Sequence, residues 1–139
     1  MNKRLLALFL VMALLLGISA VAYAATDSYD FQMKTSVDGG FDISSSVTKK
    51  DDCGHCVITV TSTTLQSGQS VNMYVRDKNG YRVTDSFYAR SNNTPKKGIE
   101  RDYFNTPAYG SRNPYRLRGL LNQDRSDGDY TKVKGRWTP

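Results

Sequence analysis

Apolar residues in the body of this chain recur at every second position over short stretches, and clusters of Gly, Asn, Asp and Pro separate those stretches. This is the pattern of half-buried β-strands, and no segment of the body sustains the 3.6-residue period of a packed helix. Tyr29-Asp30-Phe31-Gln32-Met33 alternates and predicts a first strand. Val37-Asp38-Gly39-Gly40 reads as a turn, after which Phe41, Ile43, Ser45 and Val47 share one face of a predicted second strand. Val57-Ile58-Thr59-Val60-Thr61 is nearly all β-branched and gives the strongest strand signal of the chain. Leu65 to Gln69 reads as a loop, and Ile99 to Phe104, Tyr115 to Leu120 and Tyr130 to Trp137 as later strands. In the last of these Thr131, Val133, Gly135 and Trp137 fall on one face, which makes the sole Trp an expected core plug. Ser91 to Gly98, Thr106 to Pro114 and Asn122 to Asp129 are expected connections.

Val71 to Tyr88 is the clearest hairpin, and two registers compete. A two-residue Asn79-Gly80 loop would set Val75 opposite Thr84 and waste the apolar face. A three-residue Lys78-Asn79-Gly80 loop, a type I turn with Gly80 in the left-handed region, pairs Asp77 with Tyr81, Val75 with Val83 and Val71 with Phe87. It keeps one face mostly apolar and is the expected register. Its flaws are Met73 facing Asp85 and Arg76 facing Arg82.

About seven or eight strands at this spacing predict a single all-β domain over residues 25–139. A β-sandwich is the expected architecture, with a small β-barrel as the alternative. No internal repeat or second domain is visible. Residues 1–24 have a different character. Lys3 and Arg4 precede an unbroken apolar run from Leu5 to Leu16, Gly17 and Ser19 loosen it, and Ala22-Tyr23-Ala24 supplies a small-x-small cleavage pattern. This is the layout of a secretory signal peptide, so the chain is expected to be exported and the mature protein to begin near Ala25, with no membrane span of its own. An uncleaved anchor is the competing reading, because the run is long enough to span a bilayer. The remaining 115 or so residues suffice for one modest core.

Charge changes the picture next. Residues 25–75 hold three Lys and six Asp, whereas residues 76–139 hold fourteen Lys and Arg against seven Asp and Glu. A basic second half implies an anionic neighbour. For an exported chain that means wall polymers, acidic glycans or another protein rather than nucleic acid. From Arg82 to Arg118 basic and aromatic residues interleave. Alternating strands that bury rings and expose cations produce such a string, and so does a binding face in which Tyr stacks and Arg forks onto oxyanions. Lys96, Lys97, Tyr109 and Arg112 sit in expected loops, free of packing duty, and are the candidate ligand-binding residues.

Cys53-Gly54-His55-Cys56 resembles the redox motif of the protein disulfide isomerases. In that family the first Cys sits at a helix N-terminus, which lowers its pKa. Here Asp51 and Asp52 precede the motif and a strand follows it, so the activity is not carried over, and a thiol-disulfide oxidoreductase ranks last among the readings. The two cysteines are the only ones in the chain. In an oxidising compartment they are expected to form a Cys53–Cys56 disulfide, worth the low end of about 2–4 kcal/mol for so short a loop. A zinc site needs a second ligand pair, which the chain lacks, and Asn122 to Val133 fails the calcium-loop order. No metal or cofactor is expected. With one His, beside the cysteines, no catalytic set can be assembled.

The signal peptide, the short strands and the closing Gly135-Arg136-Trp137-Thr138-Pro139 resemble small uncharacterised secreted proteins of Gram-positive bacteria that end in Gly-x-Trp-x-Pro. The resemblance implies a bacterial exported domain and transfers no catalytic residue. The expected function is a secreted, non-catalytic binding or interaction module, retained on an anionic cell-surface polymer or glycan. A bacteriocin-like antagonist or inhibitor is the alternative.

Overall fold

The computed structural model describes residues 25–49, 53–91, 98–104 and 113–139. The signal peptide assigned to residues 1–24 lies outside them. The described chain is a sandwich of two antiparallel sheets, as the alternation predicted. The strands are β1 (Asp27–Met33), β2 (Phe41–Ile43), β3 (Val47–Thr48), β4 (His55–Thr63), β5 (Ser70–Arg76), β6 (Phe87–Arg90), β7 (Ile99–Asp102), β8 (Pro114–Leu121) and β9 (Thr131–Thr138), with one helical turn, α1 (Thr35–Asp38), after β1. One sheet has the order β1-β9-β4-β7. The other has the order β2-β8-β5-β6, with β3 also paired to β8.

The core lies between the sheets. From the first come Phe31, Met33, Ile58, Val60, Val133 and Trp137; from the second, Val71, Met73, Val75, Tyr115 and Leu117, all buried. Two glycines in strand centres make room for large rings. At Gly119 in β8 an added Cβ would stand 2.7 Å from the Phe31 ring, so this bare backbone is the floor on which Phe31 packs across the sandwich. At Gly135 in β9 the Tyr29 side chain crosses the strand and donates its hydroxyl to the Thr59 carbonyl at 3.0 Å. Tyr29 and Phe31 pack ring to ring at 4.8 Å.

Two features depart from the expected pairing, and both come from extra residues on one side of a strand pair. Phe41, Ile43, Ser45 and Val47 do not share a face. Ile43 pairs with Arg118 and Val47 with Tyr115, so four residues advance on one side for three on the other. The extra residue turns Phe41 outward and Val47 into the core.

The hairpin turn forms as expected. Asp77 N–H donates to Tyr81 O, Gly80 N–H to Asp77 O, and Gly80 has φ 86°. Arg76 bridges Arg82. Beyond it the return strand carries two extra residues, so Met73 faces Phe87 and Val71 faces Ala89, not Asp85 and Phe87. Thr84 makes the correction possible. Its hydroxyl accepts the Val75 N–H at 3.0 Å, while its backbone bridges Tyr103. The mismatch of Met73 with a carboxylate is thereby removed.

A third irregularity lies at Thr61, between the pairs Val60–Gly135 and Ser62–Lys134. It reverses the phase of β4. Leu65 consequently packs on the core and Thr64 faces solvent beside Lys132.

Candidate binding face

Strand alternation gives each sheet an outer face, and the two differ in charge. On the first, β9 presents Lys132, Lys134 and Arg136, while β1 presents Asp30 and β7 presents Glu100 and Asp102. Lys134 pairs with Asp30 at 2.7 Å. This face mixes both signs.

The outer face of the second sheet is arginine and aromatic. Arg116 of β8 lies opposite Arg76 of β5, and Arg76 lies opposite Arg82, so three guanidinium-bearing residues occupy one row across neighbouring segments. Adjacent strands lie about 4.8 Å apart. That is inside the screening length of about 8 Å at physiological salt, so the fields of these charges add. In the next row Ile43, Arg118 and Tyr74 stand abreast, followed by Phe41, Leu120, Asn72 and Tyr88.

Cations and rings alternate through these rows. The Arg118 guanidinium is 4.7 Å from the Phe41 ring centroid and 6.0 Å from that of Tyr74. Arg82 is 5.2 Å from Tyr74 and 5.7 Å from Phe104. The sequence Phe41, Arg118, Tyr74, Arg82, Phe104 is therefore a continuous ladder of ring and guanidinium. At one corner of the sheet Arg90 stands 6.0 Å from Tyr88. Each contact of this kind contributes about 0.5–1 kcal/mol when exposed, and it holds a long side chain in place against a ring.

Held this way, a guanidinium can offer its N–H edge to a carboxylate or phosphate in a two-pronged bond. Arg118 Nε is buried and has no hydrogen-bond partner among the described residues, so only the outer nitrogens of that guanidinium could meet a ligand. Arg82 gives Nε to Thr84 O at 2.8 Å and meets Asp85 at 3.7 Å, while Arg76 gives Nε to Gly80 O. Asp42, the nearby carboxylate of β2, is occupied by the N–H groups of Gln32 and Ile43. Phe41 (42% exposed), Tyr88 (49%), Phe104 (58%) and Tyr81 (72%) line or border the same face, and they are four of the six exposed large apolar side chains among the described residues. No family model, curated protein or solved structure matches this chain.

The residues singled out from sequence fare differently. Lys96, Lys97, Tyr109 and Arg112 lie outside the described residues, as do Asp51 and Asp52. The interleaved string from Arg82 to Arg118 divides between the core and the outer face of the second sheet. Phe87, Tyr103 and Tyr115 are core, while Tyr88, Phe104, Arg116 and Arg118 belong to the ladder or its margin. Arg76, Tyr74 and Phe41 were not among the sequence candidates. Their signal was the outward phase of β5 and β8, which becomes a site only when β5 is known to lie beside β8.

Cys53 and Cys56 are not joined by a disulfide. This corrects the expected short-loop bridge. The motif opens β4, and the strand buries Cys56 in the core while Cys53 stays at the surface. Burial pushes the Cys56 thiol up to about 12, against the lowering effect of its backbone hydrogen bonds and of Arg101 and Lys49. The activating element of that motif family, a helix starting at the first cysteine, is replaced here by a strand. Among the described residues no cluster of His, Cys, Asp and Glu could hold a metal ion.

Proposed function

We propose that this protein is a secreted, non-catalytic binding module that is retained on an anionic cell-surface polymer through the arginine face. The observation that carries the reading is the row Arg116, Arg76, Arg82 beside the ring-stacked Arg118. Residues of one sign brought abreast on neighbouring strands repel each other, and cross-strand like charges destabilise a sheet. A polymer carrying phosphate or carboxylate groups relieves that repulsion and accepts the guanidinium edges. The flat, ring-lined surface suits an extended chain better than a small enclosed ligand.

The test is sedimentation of the purified protein with isolated cell walls across a salt series. Retention is expected to fall steeply as salt rises, because binding to a polyanion releases its counterions. Arg116→Thr and Arg118→Gln should each weaken binding and reduce the salt slope by about one. Retention that ignores salt, or variants that bind as tightly as the parent, would sink the proposal.

A further inference from the structure

On the opposite sheet the chain builds a second recess, of about 330 Å3, lined by Gln32, Thr64, Arg125, Asp129, Tyr130 and Lys132. Its floor is one row across β1, β9 and the residue that follows β4. Gln32 of β1 pairs with Lys132 of β9, and Thr64, brought outward by the irregularity at Thr61, accepts the Lys132 N–H on its hydroxyl at 2.9 Å. Its wall is the segment between β8 and β9.

That wall is fixed with unusual thoroughness for a surface connection. Arg125 binds Asp127 through Nε and Nη2 and gives Nη1 to Thr64 O at 2.6 Å. Ser126 donates both N–H and hydroxyl to Gln66 Oε1, and Gln66 Nε2 reaches Asp127. The buried Gln69 ties the same network to Gln123 O and the Thr131 hydroxyl. Lys34 stands 5.7 Å from the Tyr130 ring and is itself held by Gly128 O. None of this serves the apolar core. It fixes the backbone of the wall and sets the Tyr130 ring beside Lys34, and a rigid wall lowers the cost of binding in the hollow.

We infer that this cleft is a saccharide subsite that takes one neutral sugar unit. The volume is at the small end of ligand pockets, about 300–1,000 Å3. Tyr130, 39% exposed, supplies an apolar ring for the C–H face of a sugar. Asp129, Gln32 and Lys132 offer acceptors and donors for its hydroxyls. Arg125 is paired with Asp127, and Asp129 offsets part of the charge of Lys132 and Lys34, so the cleft carries about one net positive charge and is not built as a strong anion site. The site lies on the other sheet from the arginine face and is independent of the reading given to that face.

The test is an amide NMR titration of the whole protein with glucose, galactose and N-acetylglucosamine, each followed into the millimolar range, with matched sodium chloride as control. At least one sugar should give saturable shifts confined to Gln32, Thr64, Asp129, Tyr130 and Lys132. Tyr130→Ala and Asp129→Asn should each weaken that binding about threefold to tenfold, while leaving retention on cell walls and its salt slope as in the parent. The inference is overturned if none of the three sugars gives a saturable shift, if the shifts also appear with salt alone, or if both variants bind as the parent does.

Discussion

Gly135→Ala sets two physical effects against each other, and the structure decides the sign. Gly135 lies in the middle of β9, paired to Tyr29 on one side and Val60 on the other. Replacing a strand glycine whose backbone any residue can adopt should stabilise by about 0.4–1 kcal/mol through the unfolded chain. The packing opposes this. The new methyl would lie 2.5 Å from the Tyr29 hydroxyl oxygen, 2.7 Å from its ring carbon, and closer still to the Thr59 carbonyl oxygen. The last is backbone in a central strand and cannot rotate away. Either β9 parts from β4, or the phenol leaves and its bond to Thr59 breaks. Overpacking costs about 1–3 kcal/mol. A buried polar group stripped of its partner costs about 1–3 kcal/mol more. The net expected loss is on the order of 2–4 kcal/mol, a large share of the roughly 5–15 kcal/mol that holds a domain folded.

Urea denaturation followed through Trp137 fluorescence measures it, since that ring is buried and is the only Trp. Adding Tyr29→Phe removes the phenol oxygen but not the carbonyl, so most of the loss should persist in the double variant. A Gly135→Ala protein as stable as the parent, or more so, would refute the packing account of this strand. A loss that vanishes with Tyr29→Phe would shift the obstacle from the backbone to the phenol.

Three further outcomes are expected. Arg116→Thr should leave stability unchanged or raise it by up to about 1 kcal/mol, by relieving the repulsion with Arg76; a clear loss in chemical denaturation would count against a strained row. Arg125 holds the Asp127 carboxyl down to about 2; desolvation, the largest single effect at Asp124, raises its pKa, but the bonds from Ser36 and Thr35 together outweigh it and hold that carboxyl below its usual value. Both groups therefore contribute stability above the unfolded carboxylate pKa of about 3.9 that is lost as pH falls toward about 2; a flat melting temperature across that window would contradict the assignment, and Asp127→Asn should reduce the slope to the part that Asp124 carries. Finally, a maleimide at neutral pH should modify Cys53 within the folded protein and spare Cys56 until unfolding, read by mass spectrometry with Cys53→Ser as control; equal labelling of both would refute the burial of Cys56.

What could be read from the sequence follows from where the side-chain period is undisturbed. β1, β8 and β9 keep a strict two-residue alternation, and Tyr29, Phe31, Tyr115, Leu117, Val133 and Trp137 sit in the core where that alternation puts them. The turn at Gly80 was legible because only a three-residue loop preserved an apolar face. The errors of strand pairing fall at insertions. Local periodicity does not register the extra residue between Ile43 and Val47, or the two between Arg82 and Phe87, because each is chosen by the partner strand. Thr84 shows why: its hydroxyl replaces a backbone partner, which no alternation rule encodes. The arginine row was hidden for a related reason. Arg76 and Arg116 are forty positions apart in sequence, and only the pairing of β5 with β8 makes them neighbours.

That pairing bears on function as well as on visibility. A sheet gains nothing in stability from placing Arg116, Arg76 and Arg82 abreast, and the opposite face of the same molecule shows the ordinary arrangement, with Lys134 set against Asp30. Rings could have been used to bury the arginine stems without adding charge, yet Phe41, Tyr74 and Phe104 alternate with guanidinium groups. Such stacking fixes the cations in place while leaving them charged, so it preserves the repulsion and orients its source. A surface selected only for solubility would intersperse the signs. Asp85 meets Arg82 at 3.7 Å, and the proposed polymer would add counter-charge for Arg76, Arg116 and Arg118.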